Sequence, residues 1–200
     1  MIKNIIFDFG DVLINLDKQA LPKALAAYGP NAADPELLAL SHAYEQGFLS
    51  SEAFLGAAGE RLGESQTARL AGFWNQTILD FPEARLKFLE ALRDGRTHRM
   101  FLLSNTNDLH MRYVRDTMGM ERYERFKRCF EGFYLSYEMG LRKPEPGIFL
   151  RLLETHGLRP GETLFIDDTL EHIQSAAGLG LHTWHLQVGR EDVRELLSRI

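Results

Sequence analysis

Four short apolar segments of this chain are followed by polar residues of the types that handle phosphoryl groups. These residues supply a carboxylate, a hydroxyl with an amide, an ammonium and an acidic pair: Asp8, Ser104 with Asn105, Lys143, and Asp167 with Asp168. A continuous apolar run is typical of a strand buried on both faces of a parallel sheet. Ligands of open α/β sheets bind just beyond the carboxyl ends of such strands. The pattern therefore predicts that these side chains meet in one crevice, where they could carry out metal-assisted phosphoryl transfer.

None of these residues identifies a site by itself. Aspartates at strand exits commonly stabilise turns, Lys143 would also fit a solvated loop, and the acidic pair would also fit the N-cap of a helix. The functional interpretation depends on their conjunction. Each residue type follows a predicted strand or lies in an adjacent loop, and all of them occur in one consistent order.

The overall composition sets limits on partners and cofactors. The chain has 200 residues, of which 44% are hydrophobic, which is enough for one core plus a small appendage. A net charge of -5 gives no electrostatic footprint for nucleic acid or an anionic membrane. The single cysteine, Cys129, excludes an internal disulfide and a thiolate-held metal cluster. Because no apolar stretch could cross a bilayer or act as a leader, we expect a cytoplasmic protein. The oligomeric state is left open between a monomer and a homodimer.

The order of predicted elements indicates an α/β protein with a doubly wound parallel sheet, a Rossmann-like core. Strands are predicted at about residues 3–9, 133–136 and 182–186, and in the segments that end on Ser104 and Asp167. The predicted helices between them cover residues 83–93, 107–118, 146–156 and 171–179, and a last one starts at Glu191. Strands that alternate with helices of this length form crossover units of a parallel sheet.

Residues 17–79 interrupt this alternation, because they contain four short amphipathic helical segments and no convincing strand. Asp34 before Pro35 is a good helix N-cap, and Ser50 or Ser51, with Glu52, starts the third segment. Helices of this kind must bury their apolar faces on one another. We therefore predict a helical cap at residues 17–79, inserted into a catalytic core made of residues 1–16 and 80–200.

Four motifs of the chain resemble those of the haloacid dehalogenase (HAD) superfamily, and together they span nearly the whole sequence. They are residues 7–13 (FDFGDVL), 103–107 (LSNTN), 140–145 (GLRKPE) and 165–168 (FIDD). The helical insertion after the first strand is similar to that superfamily's cap in its commonest position. The first motif, and residues 45–50 of the cap, most resemble the branch of small sugar-phosphate (glucose-1-phosphate) phosphatases.

The resemblance implies a magnesium-dependent phosphatase of small phosphorylated metabolites, with sugar phosphates as the first expectation. Asp8 would be the nucleophile that forms an aspartyl-phosphate, and the cation would offset the repulsion between the two anions. The implied metal ligands are Asp8, the backbone carbonyl of Gly10 and Asp168, with Asp167 adding a ligand or orienting one.

The same resemblance assigns the remaining residues to the phosphoryl group. Ser104 would hydrogen-bond a phosphoryl oxygen, with help from the Asn105 amide and the helix N-terminus beyond it. Lys143 would neutralise charge on the nucleophile and on the transferring group, because its ammonium acts there as a point charge.

One departure from the superfamily pattern concerns the general acid. Superfamily phosphatases usually have a second aspartate two residues after the nucleophile, and here that position is Gly10. General acid–base help is typically worth about 10²–10⁴ in rate, so we expect a substrate with a good leaving group, such as an anomeric sugar phosphate or an acyl phosphate. Asp11, one residue further, could contact the substrate or reach the leaving oxygen through a water, or simply stabilise the turn into the cap.

A second departure is His172, four residues after Asp168, where the resembling sequences carry an amide or an acid. On a helix these two residues share a face. His172 could therefore orient Asp168 or, when protonated, weaken metal binding. The alternative is an ordinary polar helix residue near the pocket mouth.

The cap is expected to select the substrate. His42, Tyr44 and Glu45 lie just before Gly47, where a bend could direct them to the pocket. For His42 and Glu45 an exposed helix face fits equally well. Trp74, in the last cap helix, is interpreted as part of the cap core.

Two alternatives to a phosphatase remain open from the sequence. The first is the superfamily's metal-independent 2-haloacid dehalogenase, which usually carries an aromatic residue where Gly10 stands and has less need of an acidic pair. The second is a catalytically degenerate domain that binds phosphate or metal for a regulatory role, and its only support is Gly10 and His172.

Overall fold

The computed structural model describes the backbone of all 200 residues and the side chains of all except residues 30, 32 and 33. At its centre is a five-stranded sheet of Asn4–Phe7 (β1), Arg99–Ser104 (β2), Gly132–Leu135 (β3), Thr163–Asp167 (β4) and His182–His185 (β5). The strand order is β3-β2-β1-β4-β5, and all four pairings are parallel. The chain thus winds outward from β1 in both directions, which confirms the predicted doubly wound sheet.

Ten α-helices surround this sheet or form the insertion. In chain order they are Ala20–Leu25 (α1), Pro35–Glu45 (α2), Ser51–Leu62 (α3), Thr67–Asn75 (α4), Glu83–Gly95 (α5), Asp108–Met118 (α6), Met120–Lys127 (α7), Ser136–Met139 (α8), Pro146–His156 (α9) and Leu170–Gly178 (α10). Short 3-10 helices cover Ala26–Ala33, Pro160–Glu162 and Val193–Ser198.

The central strand β1 is buried on both faces, which explains its continuous apolar sequence. Ile5 and Phe7 point to one face and pack in the apolar cluster that includes residues of α5, α6 and α7. Ile6 points to the opposite face and packs in a second cluster with residues of α9 and α10. This alternation is the period-two geometry of a strand, and covering both faces is the rule for parallel sheets.

The first four helices build a third apolar cluster of their own. Its buried members are Leu37, Tyr44, Phe54, Leu55, Ala58, Leu62, Leu70 and Trp74. The predicted N-cap Asp34 is confirmed, because its carboxylate accepts a hydrogen bond from the Glu36 amide. Of the two serines that start the third segment, Ser50 is the N-cap, and its hydroxyl accepts a hydrogen bond from the Ala53 amide. These bonds satisfy amides that the first turn of a helix leaves free.

The insertion leaves and rejoins the sheet domain through two adjacent antiparallel segments. The Asn15 amide donates to the Asp80 carbonyl and the Asp17 amide donates to the Thr77 carbonyl, while the Asn15 carbonyl accepts from the Leu79 amide. The Asn15 side chain adds a 2.9 Å bond to Asp80. This stem lies close to the predicted boundaries of the cap.

Several element ends differ from the sequence prediction. The first helix of the insertion, α1, ends at Leu25, and the 3-10 segment that follows is kinked at Gly29, which has a positive φ of 61°. Residues 120–127 form α7, which was not predicted as a separate element, and the predicted closing helix is a 3-10 helix over Val193–Ser198. Among the described residues, no helix combines the length and apolar character that crossing a membrane requires.

Candidate active site

The carboxyl ends of the central strands bring the predicted site residues together. Asp8 follows β1, Asp167 ends β4 and Asp168 begins the next loop. Carboxylate oxygens of these three residues lie within 4.8 Å of one another. Asp8 and Asp168, which are 160 positions apart in the sequence, are therefore close enough for a shared cation.

The Lys143 ammonium lies between the carboxylates of Asp8 and Asp167. It donates to Asp8 Oδ1 at 2.6 Å, to Asp167 Oδ2 at 2.7 Å and to the Leu103 carbonyl at 3.0 Å. The side chain is fully buried, and the ammonium lies 5.3 Å from the centre of the Phe165 ring. All three donors of the ammonium have acceptors, so burial of the charge is compensated.

The charges at the site shift one another's ionisation. Burial raises the pKa of Asp8 to about 7, against the attraction of the Lys143 ammonium and with the repulsion of Asp167. Burial also acts to raise the pKa of Asp167, but the Lys143 ammonium and a bond from His172 hold it below its ordinary value. The pKa of Lys143 is raised, because the two carboxylates outweigh the effect of burial. A cation beside Asp8 would favour its ionised, nucleophilic form.

Asn105 fixes the loop that carries Lys143. Its side-chain oxygen accepts from the Lys143 amide at 2.8 Å, and its side-chain nitrogen donates to the Lys143 carbonyl at 2.8 Å. Both ends of this side chain are therefore committed to positioning Lys143, which sequence reasoning missed. The neighbouring Ser104 hydroxyl is buried and makes a single long contact of 3.4 Å to the Asn105 carbonyl, among the contacts of the described residues. It is available to a ligand.

The Leu16 side chain packs closely against Gly10, the position where superfamily phosphatases usually carry a general acid. A Cβ atom added at Gly10 would lie 2.7 Å from Cδ1 of Leu16. The backbone of Gly10 forms an isolated bridge with Ile14, which folds the chain tightly back after β1. An aspartate at position 10 would require only the end of the flexible Leu16 side chain to shift.

Asp11 lies in the same tight loop after β1, and its carboxylate is engaged by other residues of that loop. Its backbone is left-handed (φ 55°), a conformation that costs most residues about 1–2 kcal/mol. One carboxylate oxygen accepts from the Leu16 amide at 3.0 Å, and the other lies 3.0 Å from the Lys18 ammonium. These contacts fit the turn-stabilising role among those considered for Asp11.

Lys18 is a site residue that sequence reasoning missed. Its ammonium forms a short hydrogen bond with Oδ2 of Asp168 in addition to the contact with Asp11. The side chain is about half exposed, and the two carboxylates raise its pKa against the effect of burial. No motif marks this lysine in the sequence, because it reaches the acidic pair only through the tight turn after β1.

His172 contacts Asp167, whereas the sequence suggested a contact with Asp168. Its Nδ1 lies 3.0 Å from Oδ2 of Asp167, and the Asp167 Oδ1 accepts from the Thr169 amide at 2.8 Å. The helix brings His172 back over the strand end, but the geometry places it on Asp167 rather than on Asp168. Asp167 is thereby held by Lys143, His172 and the backbone.

The cap meets this edge of the sheet through two of the three residues considered for substrate contact. Glu45 pairs with Arg142, in the loop before Lys143, at 3.1 Å. The Tyr44 hydroxyl accepts a hydrogen bond from the Leu109 amide of α6 at 3.0 Å, and the Tyr44 ring stacks on Phe54. Tyr44 therefore belongs to the apolar cluster of the insertion and also joins the insertion to α6.

The remaining cap residues fall into distinct environments. Trp74 is buried and packs edge-on against Phe54, which confirms its place in the cap core. The side-chain oxygen of Asn75 is buried with no hydrogen-bond partner among the described residues. His42 is partly exposed on α2.

The donor set fits a hard divalent cation. Three carboxylates converge, and carboxylate oxygens are the ligands that Mg²⁺ prefers. The single cysteine, Cys129, lies buried with its pKa raised to about 11 by burial, so no thiolate contributes. The chemistry that this arrangement permits is attack by Asp8 on an anionic group beside a cation.

Comparison with known proteins agrees with this geometry. Residues 2–180 match the family model of haloacid dehalogenase-like hydrolases. The chain is 30% identical to D-ribitol-5-phosphate phosphatase from Bacteroides thetaiotaomicron over 206 aligned positions, which cover 98% of this chain and 97% of that protein. The chain therefore belongs to the haloacid dehalogenase-like hydrolases, as its four motifs predicted.

Solved structures support the same assignment. A HAD family enzyme from B. thetaiotaomicron in complex with magnesium superimposes with a TM-score of 0.87 at 34% identity, covering 98% of both chains. A complex of a wild-type HAD family enzyme from that organism with magnesium and inorganic phosphate gives 0.80 at 33% identity, with 96% and 97% covered. The L-2-haloacid dehalogenase of Xanthobacter autotrophicus gives 0.61 at 20% identity, with 99% and 83% covered, which shows a common fold alone.

Proposed function

We propose that this hydrolase is a magnesium-dependent phosphatase of small phosphorylated metabolites, with sugar phosphates as the first candidates. The observation that carries the proposal is the placement of Asp8 beside two further carboxylates and the buried Lys143 ammonium. The relatives support it, because one is a D-ribitol-5-phosphate phosphatase and another is solved with magnesium and phosphate.

Asp8 and Asp168 would hold the magnesium ion, together with the backbone carbonyl of Gly10. Asp167 already accepts bonds from Lys143 and His172, which favours the orienting role over that of a direct ligand. When bound, the ion supplies positive charge that lowers the repulsion between a phosphate ester and a carboxylate.

Asp8 then acts as the nucleophile on phosphorus. A bond forms between its carboxylate oxygen and phosphorus while the ester oxygen leaves with its electron pair, and water later cleaves the aspartyl-phosphate to release phosphate. Lys143 holds Asp8 Oδ1 in place and offsets negative charge on the transferring group. Ser104 and the main-chain amide of Asn105 bind phosphoryl oxygens, because the Asn105 side chain is engaged with Lys143.

The substrate should have a leaving group that needs little protonation. Leu16 fills the space beside Gly10, and the Asp11 carboxylate is engaged by Leu16 and Lys18. An anomeric sugar phosphate or an acyl phosphate meets this condition better than an alkyl phosphate, because its leaving oxygen is less basic.

We propose that residues 17–79 act as the cap that selects this substrate, and that residues 1–16 and 80–200 form the catalytic core. The separate apolar cluster of the cap and the stem at residues 15–17 and 77–80 support this division. The Glu45–Arg142 pair links the cap to the loop of Lys143. The phosphatase relative supports a small-molecule substrate, whereas location in the cytoplasm and a monomeric or homodimeric state stay predictions.

A panel of sugar, polyol, nucleotide and acyl phosphates, assayed with magnesium and with EDTA, tests the proposal. We expect phosphate release that requires magnesium and that Asp8→Asn abolishes, while Asp116→Asn, an exposed carboxylate change on α6, leaves it intact.

Two results would replace the proposal with one of the alternatives. Chloride release from 2-chloropropionate that EDTA does not affect would indicate a dehalogenase. A protein that releases no phosphate, forms no aspartyl-phosphate in a single turnover and fails to bind beryllofluoride at Asp8 would indicate a degenerate binding domain.

A further inference from the structure

A basic groove lies at the edge of the sheet opposite to Asp8. Its charged lining consists of six basic and two acidic side chains: Lys3, Arg93, Arg96, Arg99, Arg128, Arg159, Glu131 and Glu162. Lys3 immediately precedes β1, Arg99 begins β2, and the two glutamates immediately precede β3 and β4. The groove is therefore built from the amino ends of the strands, and its volume is about 690 Å³.

Both acidic residues of the basic groove are already neutralised by its own cations. Glu131 accepts two bonds from the Arg99 guanidinium at 2.8 and 2.5 Å. Glu162 accepts from the Lys3 ammonium at 2.8 Å. Both carboxylates of the lining are therefore paired with a cation of the same lining.

Three guanidinium groups of the basic groove are left with little or no compensation. Among the described side chains, the guanidinium groups of Arg96 and Arg128 make no hydrogen bond or ion pair, although Arg96 is near enough to Asp94 to help lower the pKa of that carboxyl. Arg159 makes only a 3.8 Å contact with Glu162. Like charges that share a concave surface repel one another, and an anion that bridges them removes this repulsion. Planar guanidinium groups bind phosphate oxygens through paired hydrogen bonds.

We propose that the basic groove is a second binding site, for a small polyanion with at least two linked phosphate groups. The volume is that of a small-molecule site. The whole chain carries a net charge of -5, so an extended polyanion such as a nucleic acid would be repelled outside the groove. A compact ligand that contacts only the lining avoids this repulsion.

The basic groove is separate from the proposed active site. Five residues of extended chain, from Lys3 to Asp8, join the two edges of the sheet along β1, which corresponds to roughly 16 Å at the rise of a strand. A pyrophosphate in the groove cannot contact Asp8 or Ser104. The proposal thus goes beyond the proposed function and can fail or succeed independently of it.

Isothermal titration of pyrophosphate into the protein, in low-salt buffer with EDTA, tests the proposal. The informative variants are Arg96→Gly, Arg128→Gln and their combination. Arg96 has a left-handed backbone (φ 52°) at the end of α5, where glycine is the favoured residue. Arg96→Gly therefore removes the charge without weakening the fold, so a loss of binding cannot be attributed to misfolding.

We expect saturable binding that weakens at least about tenfold in the double variant, because each lost guanidinium removes charge-assisted hydrogen bonds. Added NaCl should weaken it further. Arg190→Gln, an exposed arginine outside the groove, should leave the affinity unchanged. Phosphatase activity of the double variant should equal that of the wild type.

Three outcomes would overturn the proposal. These are no detectable binding of pyrophosphate, binding of equal strength in the wild type and the double variant, and equal weakening by Arg190→Gln. The last would indicate diffuse attraction to the surface instead of a site.

Discussion

Lys143 is the residue on which the electrostatics of the candidate active site depends. It is fully buried and lies between Asp8 and Asp167, which would otherwise face each other as two buried anions. Removing one partner from a buried charge cluster leaves an uncompensated charge, which is far more costly than losing an exposed ion pair. The stability of the core and the ionisation of Asp8 therefore depend on the same ammonium.

We predict that Lys143→Met lowers the free energy of unfolding by about 3–5 kcal/mol in EDTA. Magnesium should restore part of this loss, because a cation near the carboxylates replaces the missing positive charge. Urea denaturation with and without magnesium measures both effects. Lys87→Met, at an exposed lysine of α5, should change stability by no more than about 0.5 kcal/mol. Equal stability of the two variants would contradict this account.

His110 provides a second residue whose charge state is fixed by its neighbours. Its Nε2 lies 3.0 Å from the Trp74 carbonyl, and its Nδ1 lies 3.3 Å from the Asn107 side-chain nitrogen. A neutral ring that donates from Nε2 and accepts at Nδ1 satisfies both contacts. Burial lowers the pKa of His110 from 6.5 to about 4, against the bond to Trp74.

This lowered pKa predicts a loss of stability in mild acid. The unfolded chain takes up a proton at His110 below about pH 6.5 and the folded protein only near pH 4, so the contribution is full above pH 6.5 and falls as the pH drops towards 4. Between pH 7 and 5 the wild type should lose about 2 kcal/mol more than His110→Gln, in which glutamine can donate to Trp74 without titrating. Urea denaturation at the two pH values measures the difference, and identical losses would exclude His110 as the cause.

The sequence identified the residues that directly follow strands but not the residues that support them. Asp8, Ser104 and Asp167 were found because their positions depend only on where a buried apolar run ends. The position of Lys18 beside Asp168, and the two hydrogen bonds from the Asn105 side chain to the Lys143 backbone, depend on the paths of loops. Tertiary contacts determine these paths and leave no periodic signal in the sequence. The contact between Leu16 and Gly10 was missed for the same reason.

Among the elements, the junction between α2 and α8 determines how the insertion sits on the sheet domain. Gly47 follows α2 with a left-handed backbone (φ 73°), and a Cβ atom at this position would lie 2.0 Å from the Tyr137 carbonyl oxygen. Both features require glycine, because a side chain would be strained and would collide with backbone that cannot move aside.

We predict that Gly47→Ala displaces the insertion and costs at least about 2 kcal/mol of stability, from backbone strain together with the collision. Thermal unfolding measures the cost, and faster limited proteolysis within residues 17–79 would show where the structure loosens. Gly56→Ala is the matched control: Gly56 lies inside α3 with open space around it, so alanine should stabilise the helix by about 0.5–1 kcal/mol. A Gly47→Ala protein as stable as the wild type would contradict the proposal that close packing of Gly47 against Tyr137 positions the insertion on the sheet domain.

Element types followed from the sequence more reliably than element ends. The strands and α9 were predicted because apolar periodicity and the N-terminal proline of α9 are local signals. The sequence did not predict the kink at Gly29 or the 3-10 form of Val193–Ser198, because both depend on how short segments pack against the rest of the folded protein. The helix α7 has strongly mixed charges and few apolar residues, so its sequence is equally compatible with a solvated loop.

For the molecule as a whole, the proposed active site concentrates negative charge at the switch point of the sheet. Asp8, Asp167 and Asp168 follow or end the paired strands β1 and β4. Among the described side chains, the ammonium groups of Lys143 and Lys18 pair with these carboxylates. Filling this position with a divalent cation should therefore stabilise the folded chain, because the unfolded chain separates the three carboxylates and loses the site.

We predict that magnesium raises the free energy of unfolding by about 2.7 kcal/mol when its concentration is 100 times the dissociation constant. Urea denaturation at increasing magnesium, followed by circular dichroism, measures this without any assay of turnover. Asp168→Asn should abolish the increase while changing stability little in EDTA, because its partner Lys18 is half exposed. Asp116→Asn, at an exposed position of α6, should retain the full increase. If magnesium stabilises wild type and Asp168→Asn equally, the ion binds elsewhere and the carboxylates that converge at β1 and β4 do not form its site.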